Sequence, residues 1–209
     1  MNFEFSEEQQ MLRDQARSYL TQHCPTTLVR RVLNNRETHD ADLYKGIAEM
    51  GWTATTIPEE YGGLGMSHLE LVVIAEELGR ACAPVPFSST VYLAAEAIMA
   101  LGTEAQKQAW LPKLADGSAI GCFALGEAGG AVTPDQISTS IADALINGTK
   151  VPVADGGIAD VAIVVCKSDS GDGATLALVD LSQDAVTKDN VQMIDFSRGH
   201  SELTFNGAC

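Results

Sequence analysis

Three glutamates in this chain are suited to acid and base chemistry. Glu59 and Glu60 are adjacent, and Glu127 lies further along the chain. Two carboxylates whose pKa values are held apart can serve as general acid and general base. Glu59 and Glu60, however, lie in a polar turn of the kind that faces solvent, and Glu127 opens a loop in which a carboxylate can cap backbone amides. We therefore expect structural roles for all three.

The cysteine and histidine side chains do not indicate a disulfide framework, a metal site or a nucleophilic catalytic set. The cysteines are odd in number, with no Cys-x-x-Cys pair, so we expect reduced thiols and no disulfide framework. The histidines are too dispersed for a metal-ligand pattern on one element, and no Ser-His-Asp or Cys-His set is recognisable. These residues are Cys24, Cys82, Cys122, Cys166, Cys209, His23, His39, His68 and His200.

Residues 57–66 form the most specific motif in the chain. They read Ile-Pro-Glu-Glu-Tyr-Gly-Gly-Leu-Gly-Met, and a helix pattern starts near Ser67. Closely spaced glycines after a proline and an aromatic indicate a sharply bent backbone that passes close to something. A dinucleotide-binding loop is excluded, because no strand precedes the glycines and the spacing is not Gly-x-Gly-x-x-Gly. Two alternatives remain, a tight connection and a close approach to a ligand.

This motif resembles the N-terminal helical domain of acyl-CoA dehydrogenases. Residues 102–117 (Gly-Thr-Glu-Ala-Gln-Lys-Gln-Ala-Trp-Leu-Pro-Lys-Leu-Ala-Asp-Gly) are similar to the family's second signature, in the same order and at about the right distance. The resemblance runs from Met1 to Cys209 and covers the first two of the family's three domains. It implies a subunit for FAD-dependent α,β-desaturation of an acyl-CoA thioester, in fatty-acid or steroid-type side-chain catabolism, that works as a homo- or hetero-oligomer.

The family's third domain usually supplies the glutamate that removes the substrate's α-proton. We expect that domain to be missing from this chain, which leaves no catalytic residue in it. The resemblance therefore implies that these 209 residues are inactive without a larger chain or complex.

The family's flavin contacts are only partly kept. Phe123, Leu125 and Glu127 match the family pattern aromatic-Ala-Leu-Thr-Glu-Pro, but Gly126 replaces the threonine that bonds the flavin. The family's Gly-Ser-Asp has no clear counterpart in residues 129–135. After the Asn-Gly-x-Lys turn at residues 147–150, the expected Trp-Ile-Thr/Ser is Pro152, Val153 and Ala154. The resemblance thus implies a degenerate FAD site formed by Phe123, Leu125, Gly126, Glu127, Pro152 and Ala154, and leaves FAD binding by this chain open.

Three functions follow as alternatives. The first is an acyl-CoA dehydrogenase subunit. The second is a non-flavin-binding partner subunit that completes or stabilises the active site of a heteromeric acyl-CoA dehydrogenase, and Gly126, Pro152 and Ala154 favour it. The third is an isolated module that binds a CoA ester or a protein.

Composition limits the class of protein and its partners. The length of 209 residues and the 45% hydrophobic content suit one large or two small domains, and we expect two. A net charge of −15 argues against nucleic acid and against an anionic membrane surface. The first five residues are acidic and polar where a secretory signal would be basic and then apolar, so we expect no such signal there, and no apolar run approaches the ~20 residues that span a bilayer. We expect a cytoplasmic protein.

The secondary-structure elements that position these residues change once along the chain, from helices to strands. Capping boxes at Ser6, Ser67 and Thr103 predict helix starts, and apolar residues recur at helical spacing up to Gly117. From Ile120 the apolar period changes from helical to alternating, with short strands expected at residues 120–125, 137–141, 161–166, 175–181 and 202–205. We therefore predict an α+β fold, in which an all-α helical bundle (residues 1–117) precedes a small β-barrel or sandwich (residues 118–209).

Overall fold

The computed structural model describes residues 5–130, 133–168 and 173–209. Within these described ranges, six α-helices come first: α1 (Glu7–His23), α2 (Thr26–Asn35), α3 (Ala41–Glu49), α4 (His68–Arg80), α5 (Glu96–Leu101) and α6 (Glu104–Ala115). A π-helix, Ser88–Ala95, runs directly into α5. The part of the chain that the structure describes then contains seven strands: β1 (Gly121–Ala124), β2 (Ser140–Ala142), β3 (Leu145–Ala154), β4 (Val161–Ser168), β5 (Ala174–Asp180), β6 (Val186–Val191) and β7 (His200–Ala208). The predicted α+β fold is confirmed.

Side-chain caps explain where three of the helices begin. Ser6, Ser67 and Thr103 are the N-caps of α1, α4 and α6, and each forms the reciprocal pair of bonds of a capping box. These bonds satisfy amides that have no partner inside the helix. The sequence prediction of these three starts is therefore confirmed.

A buried carboxylate fixes α1 against α4. The Glu77 side chain is fully buried, and it accepts hydrogen bonds from Arg17 at 2.6 Å and from Arg80 at 2.6 Å. The bonds from Arg17, together with those from Arg80, hold the pKa of Glu77 below its usual range although burial opposes the shift. Ala16 and Leu20 of α1 pack beside Leu71 and Ile74 of α4 in one apolar cluster.

The strands form one curled sheet. Its order is β1-β4-β2-β3-β7-β6, and β5 pairs with β4. β1 and β2 run parallel to β4, whereas the other pairings are antiparallel. The curl encloses an apolar cluster that includes Val164, Val179, Leu203 and Phe205.

A third apolar cluster joins the helices to the sheet. Ile98 of α5 and Leu111 of α6 pack with Val161 and Ile163 of β4. Helices end at Ala115 and strands begin at Gly121, so the boundary proposed between residues 117 and 118 falls in the connecting turn. No helix among the described residues combines the length and the apolar character needed to cross a lipid bilayer.

Parts of the strand prediction are wrong. β3 and β6 were not expected as strands, and residues 137–139 precede β2 instead of belonging to it. The expected turn at residues 147–150 lies inside β3, where a β-bulge follows Ile146. Asn-Gly and Pro normally mark turns, but β3 accommodates them at irregularities in its pairing with β7. Residues 168–173, rich in Ser, Asp and Gly, predict a further turn between strands, and this stretch lies mostly outside the described residues.

The apolar residues 71–75 predict a helix buried on more than one face, but α4 is less buried than that. Val72 is 53% exposed and Leu69 57% exposed, while Leu71 and Ile74 are buried. Its apolar residues therefore cover two faces, of which one packs in the bundle and the other faces solvent in this structure.

Candidate functional site

Gly126 and Pro152, two of the residues that depart from the flavin-site pattern, lie in contact. The Val151 N–H donates to the Gly126 carbonyl at 2.9 Å. A Cβ atom added at Gly126 would lie 3.1 Å from the Val151 carbonyl oxygen and 3.7 Å from Pro152 Cδ. The absence of a side chain at residue 126 thus allows the loop after β1 to lie close against β3.

Glu127 is held by four donors. Its carboxylate accepts from Lys150 Nζ at 2.7 Å, from the Ser138 N–H and hydroxyl at 2.8 and 2.5 Å, and from the Thr139 N–H at 2.9 Å. Burial raises the pKa of Glu127, but the bonds from Lys150, Ser138 and Thr139 outweigh it and hold the pKa well below its usual range. The carboxylate is therefore an ionised anchor for the loop, and the expectation that it caps backbone amides is confirmed.

Lys150 is a residue that sequence reasoning missed. Its side chain is fully buried in β3, and its Nζ also donates to the Leu125 carbonyl at 3.1 Å. The sequence signal was available, since Lys150 closes the Asn-Gly-x-Lys pattern. A lysine is almost never fully buried unless it is paired, so its burial depends on Glu127.

The remaining predicted site residues lie apart from that pair. Phe123 is half-buried in β1 and packs against the cluster that joins helices and sheet. Ala154 ends β3, where it pairs with His200 of β7. Pro152 is exposed at a register shift of β3. In the structure Gly126 lies beside Pro152, whereas the Glu127 carboxylate bonds Lys150 instead.

This surface fits a flavin poorly. Residue 126 has no hydroxyl, Pro152 has neither an indole nor a backbone N–H, and Ala154 presents a methyl group in place of a hydroxyl. The Glu127 carboxylate is already bonded by protein donors. Only backbone groups are left at these positions to bond the polar edge of an isoalloxazine ring, and the degenerate FAD site stays a prediction.

An apolar cavity lies between α4, the π-helix and the loop before β7. Its volume is about 340 Å³, and its apolar lining residues include Leu78, Val85, Phe87 and Tyr92. Burial raises the pKa of Tyr92 to about 12, although the nearby Arg198 opposes the shift. The phenol is therefore neutral at physiological pH. We call this space the α4 cavity, and its volume suits a small apolar ligand group.

Asp155 connects the end of β3 to the α4 cavity, and sequence reasoning missed it as well. Its Oδ2 accepts from the Ser89 hydroxyl at 2.5 Å and from Arg198 Nη2 at 2.5 Å. Ser88, next to Ser89 on the π-helix, and Arg198 itself line the cavity. Asp155, which follows Ala154, thus bonds one residue of the cavity wall and the neighbour of another.

The glycine turn at residues 57–66 folds upon itself. A Cβ atom at Gly63 would fall 1.8 Å from the Ile57 carbonyl oxygen, and the Gly65 N–H donates to that oxygen at 2.9 Å. The Tyr61 hydroxyl lies 3.0 Å from both carboxylate oxygens of Glu104, which links this turn to α6. Glu59 and Glu60 are exposed. These contacts favour the tight connection over the ligand loop.

The thiols are unsuited to catalysis at their buried positions. All five cysteines are free. Burial raises the pKa of Cys24 and Cys166 to about 11 and that of Cys122 to about 12, so these thiols stay protonated. Among the described residues no group of histidine, cysteine and acidic side chains is placed to hold a metal ion.

Comparison with known proteins identifies relatives. Residues 6–118 match the family model described as "Acyl-CoA dehydrogenase, N-terminal domain". Acryloyl-CoA reductase (NADH) of Anaerotignum propionicum is 33% identical over 171 residues, which cover 78% of this chain and 43% of the relative. A mitochondrial isovaleryl-CoA dehydrogenase of Pongo abelii is 32% identical over 170 residues, covering 78% of this chain and 40% of the relative.

A solved structure extends the similarity over the whole chain. A chain of the ChsE4-ChsE5 complex from Mycobacterium tuberculosis superposes with a TM-score of 0.86 at 28% identity, covering 100% of this chain and 56% of that one. The matched part is therefore less than half of the two curated relatives and little more than half of the solved chain.

Proposed function

The chain belongs to the acyl-CoA dehydrogenase family, and from this premise we propose that it forms the helical and β portion of a subunit that binds an acyl-CoA thioester for α,β-desaturation. The observation that supports the proposal is the α4 cavity, an apolar space of about 340 Å³ whose wall includes Arg198, the partner of Asp155.

Acyl-CoA binding tests this proposal. The purified chain is titrated with octanoyl-CoA and with free CoA by calorimetry. We expect the thioester to bind more tightly, because burial of each methylene contributes about 0.8 kcal/mol. Equal affinity for octanoyl-CoA and CoA would overturn the acyl role of the cavity.

A second candidate is a partner subunit that has no flavin of its own. It is favoured by Gly126, Pro152 and Ala154, which supply no hydroxyl or indole to a flavin, and by the tight packing at Gly126, where an added Cβ would lie 3.1 Å from the Val151 carbonyl oxygen. Family membership implies FAD as the cofactor of the assembly. In this candidate function, the present chain would contribute substrate-binding surface to that assembly. Fatty-acid or steroid-type catabolism and a cytoplasmic location belong to the same proposal.

The absorption spectrum separates the two candidates. The purified chain, incubated with excess FAD and then freed of unbound cofactor, is scanned for the yellow flavin bands. A chain that binds its own flavin retains about one FAD, whereas the partner subunit retains none, since the lost contacts weaken binding by roughly a hundredfold or more.

A further inference from the structure

Asp155 sits where backbone geometry and burial hold its carboxylate in one place. The residue has a φ of 58°, in the left-handed region, and is 3% exposed. Its N–H donates to the Gly199 carbonyl at 2.8 Å. A non-glycine residue in this conformation is uncommon, although aspartate tolerates it better than most. The surrounding contacts therefore determine the direction of the side chain.

The carboxylate joins segments that are far apart in sequence. Ser89 belongs to the π-helix, Asp155 follows β3, and Arg198 lies in the loop between β6 and β7. Both bonds converge on the same oxygen, Oδ2. Because hydrogen bonds to ionised groups are short and about twice as strong as neutral ones, this contact couples the positions of the two partner segments.

Other buried carboxylates in the described chain do not make such a connection. Glu77 joins α1 to α4, and Asp40 bonds Arg31 and caps α3. Glu127 bonds residues of the β strands and their loops. Among these four, only Asp155 bonds one residue from the helices and one from the strand connections.

The two partner segments form walls of the α4 cavity. Ser88 and Tyr92 of the π-helix line it from one side, and Ser197 and Arg198 line it from the loop before β7. Leu78 and Val85 belong to α4 and the segment after it. A change in the Asp155 contacts would thus move two walls relative to α4 without removing any apolar lining residue.

We propose that Asp155 is a positioning residue that fixes the π-helix against the loop at residues 192–199 and thereby limits the bulk of the acyl group that the α4 cavity accepts. This inference rests on the proposed function. Asp155 acts through Ser89 and Arg198, and it touches no reacting atom.

Two measurements on the purified chain test the proposal, and they separate it from the proposed function. Hydrogen exchange of the ligand-free chain reports whether Asp155 holds the two segments. Affinities for butyryl-CoA, octanoyl-CoA and palmitoyl-CoA, each relative to free CoA, report whether the cavity discriminates acyl groups. The variants are Asp155→Asn and Ser89→Ala. The matched control is Asp180→Asn, because Asp180 also accepts bonds from a serine but lies away from the cavity.

In Asp155→Asn we expect amide exchange of the π-helix and of residues 192–199 to accelerate about tenfold, with α1 unaffected. We also expect the affinity ratio of palmitoyl-CoA to butyryl-CoA to rise about tenfold while affinity for free CoA is unchanged. Ser89→Ala should shift both readouts in the same direction by a smaller factor. It leaves the Arg198 pair intact, so it keeps the test valid if Asp155→Asn fails to fold.

Unchanged exchange and an unchanged ratio in a folded Asp155→Asn or Ser89→Ala chain would overturn the proposal. An equal change in Asp180→Asn would do the same, because it would show a general loss of stability. If the parent chain binds no thioester better than free CoA, the proposed function and the limiting role of Asp155 both fail. Accelerated exchange in that case would leave Asp155 as a structural contact alone.

Discussion

The ion pair of Glu127 with Lys150 determines how the loop after β1 is held. Lys150 is fully buried and Glu127 is 7% exposed, so both charges have lost most of their water. Transfer of each charge from water into the protein costs several kcal/mol. The attraction between the two charges offsets this cost only if other groups fill the remaining hydrogen-bonding positions. Here the Leu125 carbonyl and the donors of Ser138 and Thr139 fill them. Loss of one partner would therefore be more harmful than loss of an exposed pair.

Replacing Lys150 with methionine should destabilise the chain by about 3–5 kcal/mol, since it leaves a buried carboxylate without its cation. The measurement is chemical denaturation at neutral pH. The matched control is Lys45→Met, because the Lys45 side chain is 76% exposed and its Glu49 pair is 3.9 Å long. That change should stay within about 0.5 kcal/mol. A similar small loss for Lys150→Met would contradict a structural role for the pair.

Acid should remove the contribution of Glu127. Its pKa is lowered in the folded chain, with Lys150 and Ser138 overcoming the effect of burial. The ionised carboxylate therefore stabilises the fold fully above the unfolded-state pKa of about 4.3, and this stabilisation is lost as pH falls toward the folded-state pKa. The difference in unfolding free energy between the parent chain and Glu127→Gln should shrink as pH falls below about 4. A difference that is constant with pH would disprove this assignment.

Residue type allowed half of this site to be predicted. A glutamate at the start of a loop indicates amide capping, and Glu127 does cap Ser138 and Thr139. Lys150 and Asp155 could not be found in the same way, because charged residues are usually exposed and burial depends on partners brought close by the tertiary fold. Their partners are 23 and 66 residues away in the chain.

Among the helices and strands, the sequence predicts an element well where the bonds that define it join residues close in sequence. Capping boxes join residues three apart, so Ser6, Ser67 and Thr103 revealed helix starts directly. Strand β3 was missed because its Asn147-Gly148 and Pro152 resemble a turn, whereas β7 pairs with it across more than forty residues of sequence. Long-range pairing overrides turn chemistry here, and Gly148 is needed because a Cβ atom there would lie 2.7 Å from Thr139 Cα.

The glycine turn makes a prediction about one backbone contact. In Gly63→Ala the new methyl carbon would meet the Ile57 carbonyl oxygen at 1.8 Å, so the turn must open, and we expect a loss of about 2 kcal/mol or more. Gly79→Ala is the control. It lies in α4 with nothing within 4 Å of the added Cβ, and it should stabilise the chain by about 0.5–1 kcal/mol. Thermal unfolding of both variants checks the opposite signs, and a neutral Gly63→Ala would show that the turn is loose.

The proposed boundary between residues 117 and 118 makes a second prediction at this scale. Asp116 and Ser118 are exposed between α6 and β1, and so this turn should be the first internal site cut in limited proteolysis. Mass spectrometry of the early fragments identifies the cut. A first cut inside residues 71–78 of α4 would contradict the division into a helical and a β domain, because those residues pack in the helical cluster.

For the whole molecule, net charge and exposed apolar surface indicate which contacts are available for binding. A net charge of −15 gives a polyanionic CoA ester no long-range attraction. The proposed binding would therefore depend on local contacts such as the α4 cavity and Arg198. The exposed face of α4, with Leu69 and Val72, adds apolar surface to the molecule.

The final prediction concerns flavin stoichiometry in that assembly. If Gly126, Pro152 and Ala154 mark a flavin site given up to a related partner subunit, the complex should hold about half an FAD per chain, because one binding site in each pair lacks the contacts that stabilise the cofactor. Co-expression of the protein with its genomic neighbour, followed by a flavin-to-protein ratio, measures this. One flavin per chain would show that the three departures are tolerated.

As a further check, Gly126→Thr combined with Pro152→Trp and Ala154→Thr should raise FAD affinity. Gly126→Thr alone should raise FAD affinity less than the triple change, since it restores one hydroxyl while Pro152 and Ala154 still supply neither an indole nor a second hydroxyl.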